Sequence, residues 1–139
     1  MKGLSTIVLV VATACSSSSS TPKPDAPAAA TLTVKNYLQW CSITVNGGTA
    51  SSAASITAPI TGSMTITLAA TANSGFELGS APWHDTAGDH GTGDPGTVTG
   101  TGQSAVSTTT VAVTGANKCV WACCPFPDGT GCPTTDQCP

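Results

Sequence analysis

Apolar and polar residues alternate most clearly between residues 63 and 71. Met64, Ile66, Leu68 and Ala70 lie at every second position, with threonines or alanine between them. This period of two is typical of a strand that buries one face and exposes the other. Other stretches predicted to be extended are 31–45, 76–78 and 109–114. No helical period is sustained beyond residue 14. The pattern predicts an all-β fold, a small single domain of about five to eight short strands arranged as a β-sandwich or a β-grasp-like sheet.

Turn signals separate the predicted strands. Asn46-Gly47-Gly48 is the strongest of them, because Asn and Gly accept positive φ angles. Residues 16–30 are rich in Ser, Pro and Ala, a composition typical of a flexible to extended linker. The chain therefore divides into an N-terminal segment of residues 1–14, a disordered tether at 15–30, a β domain at 31–118 and a Cys/Pro-rich segment at 119–139.

The N-terminal segment has the features of an export signal. Lys2 is followed by an apolar run over residues 4–14, which is eleven residues long. A membrane-spanning helix needs about 20, so the run is too short to span but has the length of a signal-peptide core. Cys15 follows directly, and Ser16 begins a run of five serines. An ordinary secretory signal ending at Ala14 and a chance cytosolic N-terminus are the alternatives.

This arrangement resembles the lipobox of bacterial lipoproteins. The resemblance implies that residues 1–14 are a signal peptide and that Cys15 becomes the lipid-bearing first residue. Several acyl chains give stable anchoring where a single chain gives only marginal binding. Ser16, in place of Asp, implies sorting to the outer membrane, facing either the periplasm or the outside. The membrane, reached through the N-terminal lipid, is then the first expected partner.

The remaining cysteines form an even set: Cys41, Cys119, Cys123, Cys124, Cys132 and Cys138. Exported thiols are oxidised, which predicts three disulfides, with the pairing left open. Adjacent Cys123 and Cys124 should have different partners, because neighbouring strand residues project to opposite sides. A four-cysteine zinc site is the alternative, but the spacing lacks the C-x2-C pairs typical of such sites.

A second resemblance involves residues 41–118. The segments "ITVNGGT", "MTITLAATANSGF" and "TTTVAVTGANK", with Trp83 between the last two, are similar to bacterial repeat modules related to the internalin-B B-repeat. The resemblance implies a small β module with a surface, adhesive or spacer role and no active site. The Gly/Asp-rich stretch at 85–104 and the segment at 119–139 are not features of that family.

Ionisable residues are densest in one loop, which contains His84, Asp85, Asp89, His90 and Asp94. Carboxylates suit Ca²⁺, and two imidazoles with a carboxylate suit Zn²⁺. The spacing does not match a calcium-loop motif, and Asp and Gly are ordinary turn residues. We expect a solvated turn and no metal or other cofactor, and keep these five residues as candidate ligands.

Charge and motifs restrict the function classes. Without residues 1–14, three Lys oppose seven acidic residues, a net charge of 3 − 7 = −4, so a nucleic-acid partner is not expected. Gly91-x-Gly93-x-x-Gly96 lacks the helix that a dinucleotide site requires. The G-x-S-x-G motif of hydrolases is absent. Tyr37 and the three tryptophans, Trp40, Trp83 and Trp121, are either a sugar-binding face or packing units.

The sequence therefore predicts a membrane-anchored envelope lipoprotein with a non-catalytic structural or binding domain. It is not predicted to be an enzyme. A metal- or glycan-binding accessory protein, using the 84–94 loop or the tryptophans, is the first alternative, and a secreted hydrolase is the second. A protein or glycan partner is expected, without an identity.

Overall fold

The structure is a computed structural model that describes residues 29–85, 93–94 and 96–138. The predicted signal peptide, Cys15 and most of the tether lie outside these residues. The described residues form nine strands and two short 3₁₀ turns at Tyr37–Gln39 and Gly102–Ser104. The strands are β1 (Ala30–Asn36), β2 (Cys41–Val45), β3 (Ser55–Ile60), β4 (Ser63–Ala72), β5 (Trp83–His84), β6 (Gly93–Asp94), β7 (Thr97–Thr99), β8 (Val106–Thr114) and β9 (Lys118–Ala122). The predicted all-β class is confirmed.

The strands form two sheets that share one core, which is the β-sandwich alternative. The four-stranded sheet has the order β2-β4-β8-β7, and the five-stranded sheet has the order β3-β1-β9-β5-β6. Buried residues of both sheets belong to one hydrophobic cluster that includes Leu32, Val34, Ile43, Ile66, Leu68, Trp83, Val111 and Val120. None of the helices in the described ranges has the length and apolarity needed to cross a bilayer.

The four-stranded sheet follows the predicted alternation. In β4, Ile66 and Leu68 are fully buried whereas Thr65 and Thr67 are exposed. The antiparallel register places Ile66 opposite Val111, so apolar side chains meet on the inner face. The outward positions of β4 and β8 are Thr65, Thr67, Ala69, Thr71, Thr108, Thr110 and Ala112. The outer face of these two strands is therefore a surface of hydroxyl and methyl groups without charge.

The five-stranded sheet contains both the first and the last strand of the domain. β1 pairs in parallel with β9, with Leu32 opposite Lys118, and in antiparallel fashion with β3. β3 was not predicted, because Pro59 interrupts its pattern. Proline is tolerated there because β3 is an edge strand. The predicted boundary between residues 118 and 119 falls inside β9, so the Cys/Pro-rich segment begins within a central strand.

Two local predictions were wrong. Residues 76–78 were expected to form a short strand but lie in a loop, although Leu78 is buried. Residues 31–45 were expected to be extended throughout, but Leu38 and Gln39 interrupt them with φ angles of 45° and 62°. The Asn46-Gly47 turn was predicted correctly, and both residues adopt positive φ.

Candidate functional site

The predicted ionisable loop is only partly described. Asp89 and His90 lie outside the described residues, and Asp94 is described only as a backbone partner of Trp83. His84 belongs to β5 and pairs with Trp121 of β9. Its ring stacks on the Trp121 indole, with centroids 3.7 Å apart and an interplanar angle of 8°. This candidate ligand therefore packs against a tryptophan.

The surroundings of His84 favour the uncharged form of its imidazole. Burial lowers the pKa of its imidazole below the ordinary value of 6.5, and the nearby Asp85 carboxylate partly opposes this change. Its Nδ1 is buried and has no hydrogen-bond partner among the described residues. His84 is consequently a packing residue, and its protonation destabilises the folded state.

Asp85 meets the C-terminal segment. Its buried carboxylate, that of Asp136 and the sulfur of Cys138 have ligand atoms within 4.8 Å of one another. The Cys138 sulfur is bonded to Cys119, so it offers no thiolate to a metal. The pair of carboxylates is what remains of the predicted metal site in the described chain. Asp136 was missed, because 51 positions separate it from Asp85 in the sequence.

All six cysteines after residue 15 form disulfides. The bridges are Cys41–Cys124, Cys119–Cys138 and Cys123–Cys132. The predicted set of three disulfides is confirmed, as is the expectation that Cys123 and Cys124 have different partners. Cys41–Cys124 joins the start of β2 to the chain just after β9, and both residues are fully buried. Cys119–Cys138 attaches the end of the segment after β9 to β9 itself, and Cys123–Cys132 closes a loop within that segment.

The tryptophans divide into two kinds. Trp83 and Trp121 are buried, at 0% and 1% exposure, so they are packing units and cannot form a sugar-binding face. Trp40 is partly exposed and lies in a cluster of rings. We define the aromatic patch as Tyr37, Leu38, Trp40, Phe76 and Phe126. Leu38 and Phe126 are its most exposed members, at 61% and 42%.

The rings of the aromatic patch contact one another closely. Trp40 stacks on Phe76 with centroids 4.7 Å apart, and Phe126 lies 5.0 Å from Trp40 and 5.3 Å from Phe76. Tyr37 meets Trp40 edge to face at 5.3 Å. Because one ring supports the next, the exposed faces have a fixed orientation.

Two asparagines hold the loop that carries Leu38 and Trp40. Asn36 is buried, and its side chain donates to the carbonyl of Cys41 at 2.8 Å and accepts from its N–H at 3.1 Å. Asn73 donates from Nδ2 to the carbonyl of Gln39 at 2.8 Å and from its backbone to that of Trp40 at 2.9 Å. These bonds support the left-handed Leu38 and Gln39. Such backbone strain persists only where its surroundings fix it, and it clusters at functional sites.

The C-terminal segment supplies the other side of the patch. Phe126 lies in a loop closed by the Cys123–Cys132 bridge and by hydrogen bonds from Phe126 N to Thr130 O and from Gly129 N to Phe126 O. Gly131 has φ +100°, and a Cβ there would lie 2.9 Å from both the Phe126 and Trp40 rings. Only glycine lets the backbone approach the patch this closely.

The patch lies at the end of the sandwich opposite Ala30, where β1 begins. The chain enters the domain at Ala30 and runs along β1 to Asn36, after which the Leu38 loop begins. The parallel strand β9 ends beside Asn36 at Ala122, so the Phe126 loop leaves from the same end. Phe76 follows β4, whose last residue, Ala72, pairs with Cys41.

Two carboxylates and one ammonium group are next to the patch in sequence. Glu77 follows Phe76, Asp128 lies two residues after Phe126, and Lys35 lies two residues before Tyr37. The Thr130 hydroxyl, which donates to Asp128 at 2.6 Å, and the Thr130 N–H lower the pKa of that carboxyl. Two carboxylates against one ammonium give these neighbours a net charge of 1 − 2 = −1, which disfavours anions.

No family model, no curated protein and no solved structure matches this chain. The resemblances to lipoproteins and to the internalin-B B-repeat thus remain predictions from the sequence. Phe76 and Phe126 were not predicted as site residues. The signal for Phe126 was its place between two prolines, since an aromatic ring in a segment that forms no strand has few ways to be buried.

Proposed function

We propose that the protein is a bacterial outer-membrane lipoprotein whose β-sandwich is a non-catalytic binding module. The observation that carries this proposal is the aromatic patch, which is exposed, strained and cross-linked in place. The pairing of all six cysteines fits the oxidising compartment that an exported chain reaches. With a lipid on Cys15, the tether would enter the domain at Ala30, and the patch would lie at the end away from that anchor.

A neutral glycan is the ligand class that suits the patch best. Fixed aromatic faces with an apolar surface stack well against the C–H faces of sugar rings, at little cost in conformational entropy. The acidic neighbours and the net charge of the exported chain disfavour polyanions. Among the residues that the structure describes, the metal alternative rests on the Asp85 and Asp136 carboxylates. Equilibrium dialysis against Ca²⁺ and Zn²⁺ tests it, and no binding below the millimolar range would end it.

Screening the lipidated full-length protein on an array of neutral bacterial and host oligosaccharides tests the glycan proposal. Phe126→Ala should weaken binding of any ligand found by about 10- to 100-fold, the scale of a binding hot spot. Val98→Ala is the matched control, because Val98 is 44% exposed but lies on the edge strand β7. Binding that is unaffected by Phe126→Ala, or equally weakened by Val98→Ala, would show that the patch is not the binding face.

A second pair of variants tests the geometry of the patch. Gly131→Ala and Gly129→Ala both place a side chain at positive φ. At Gly131 the new methyl group would overlap with the Phe126 and Trp40 rings at 2.9 Å, whereas at Gly129 it meets nothing within 4 Å. Gly131→Ala should therefore reduce affinity more than Gly129→Ala does. Equal loss would mean that backbone strain, and not ring placement, controls binding.

Intact mass spectrometry of membrane-extracted protein tests the anchor separately. The expected mass corresponds to a chain that begins at Cys15 and carries acyl groups. An unlipidated mass beginning at Met1 would overturn the lipoprotein proposal and leave the binding proposal standing.

A further inference from the structure

Two of the three disulfides differ sharply in their access to solvent. Cys41 and Cys124 are both 0% exposed and belong to the main core. Cys123 and Cys132 both line a pocket of about 210 Å³, together with Leu78, Gly79, His84 and Pro125. Cys132 is partly exposed, whereas Cys123 is almost fully buried. A thiol in this pocket therefore meets one sulfur of the bridge from outside.

In the third disulfide, Cys119–Cys138, the two cysteines do not line a common pocket. Cys119 lines a groove on the outer face of the five-stranded sheet, but its partner Cys138 is only 6% exposed and does not line that groove. Thiol–disulfide exchange needs access to the attacked sulfur. In Cys123–Cys132 both cysteines line one pocket, and an attacking thiolate reaches the bridge there at the partly exposed Cys132.

Opening the Cys123–Cys132 bridge would release a small part of the molecule. The bridge closes a loop with a sequence separation of nine residues, and that loop holds Phe126 and Gly131 against Trp40. Cys124, next to Cys123, stays bonded to Cys41 in the core. The sandwich thus remains closed while the Phe126 side of the aromatic patch loses its covalent support.

We propose that Cys123–Cys132 is a thiol-exchange site, at which a dithiol reductant opens the bridge and detaches the Phe126 loop from the patch. One thiolate of the reductant attacks the Cys132 sulfur, the S–S bond breaks, and Cys123 leaves as a thiolate that takes up a proton. The second thiol of the reductant then attacks the mixed disulfide and releases Cys132 as a thiol. The reductant becomes a disulfide, and two electrons and two protons pass to the protein.

Timed labelling of the full chain tests the order of reduction. The protein is treated with dithiothreitol under native conditions, quenched with N-ethylmaleimide and mapped by peptide mass spectrometry. Cys123 and Cys132 should be labelled at least about tenfold faster than Cys41 and Cys124, because the core bridge reacts only after a larger opening. Labelling of Cys119 and Cys138 first, or of all six together, would overturn the proposal.

Hydrogen exchange of disulfide variants tests the consequence. In Cys123→Ala/Cys132→Ala, the amides of Phe126 and Gly129 should lose protection while those of β4 and β8 keep it. Cys119→Ala/Cys138→Ala is the matched control, since it removes a bridge but leaves the Phe126 loop closed. Retained protection at Phe126 in the first variant, or equal loss in both, would contradict the assignment. Neither readout needs a ligand, so failure here leaves the proposed binding function to its own test.

Discussion

The two sheets of the sandwich reach stability by different means. The four-stranded sheet is built around two long antiparallel neighbours, β4 with ten residues and β8 with nine, which pair over eight positions. The five-stranded sheet is assembled from strands of two to seven residues that are far apart in the sequence. Cys119–Cys138 fastens the chain after β9 to this sheet, and Cys123–Cys132 closes a loop in that chain. Cys41–Cys124 joins β2 of the other sheet to the chain just after β9.

The two sheets therefore depend on different features of the sequence. In the four-stranded sheet, alternation alone places apolar side chains inside and threonines outside, so neighbouring strands need no further support. In the five-stranded sheet, short strands provide few ladder hydrogen bonds, and covalent links supply what local pattern does not. A small sandwich can therefore combine one regular sheet with a second sheet of short strands that depends on disulfides.

The largest expected effect comes from the bridge between the sheets. Cys41→Ala/Cys124→Ala removes a link with a sequence separation of 83, and the chain-entropy model gives a loss of about 4.5 kcal/mol in the free energy of unfolding. Cys123→Ala/Cys132→Ala, with a separation of nine, should cost about 2.5–3 kcal/mol by the same model. Urea unfolding measures both values. Equal losses would show that covalent closure of the long loop is not what holds the sheets together.

A smaller effect is expected in the four-stranded sheet. Ile66→Ala leaves a cavity at a fully buried position and should cost about 3 kcal/mol, within the usual range for such truncations. Thr67→Ala, the next residue but on the exposed face, should change stability by about 0.5 kcal/mol or less. If both variants lost the same free energy of unfolding in chemical denaturation, the alternation of buried and exposed residues would not explain the stability of this sheet.

The smallest effect is a dependence on pH in the five-stranded sheet. The unfolded chain takes up a proton at His84 near pH 6.5, whereas folding lowers the pKa of this residue. The contribution of neutral His84 to the free energy of unfolding should therefore be fully present above pH 6.5. It should fall as the pH drops towards the lower pKa of the folded state, and it should not change further below that pKa. His84→Phe keeps a ring on Trp121 and should remove this part of the slope in thermal melts between pH 8 and 5. His90 is present in both the wild-type protein and the variant. If the two depend on pH with the same slope, a group other than His84 is responsible for the pH dependence.

Much of the regular sheet could be predicted from sequence. The strand predicted at 63–71 is β4, and 109–114 lies within β8, because alternation and flanking glycines depend only on local residues. β5, β6 and β7 have two or three residues each, too few for a period to appear. Their pairing is decided by tertiary contacts, which no local pattern records.

The candidate site was less predictable than the fold. Tyr37 and Trp40 were recognised as aromatic candidates, but their exposure depends on the left-handed turn at Leu38. The neighbouring Asn36 and the distant Asn73 stabilise that turn. Disulfide formation followed from an even count of cysteines, whereas the pairing required the positions of β2 and β9. The proximity of Asp85 and Asp136 also depends on the disulfide pairing, because the Cys119–Cys138 bridge holds the C-terminal segment that carries Asp136.

The parallel pair of β1 and β9 also sets the order of events when the chain is made. β1 appears first, yet its central neighbour lies 86 positions later, with Leu32 opposite Lys118. A chain that emerges N-terminus first, from a ribosome or through a translocation channel, cannot complete this sheet until nearly its whole length has passed. Such non-local pairing slows folding. The five-stranded sheet can therefore close only after β9, its last central strand in the sequence, is available.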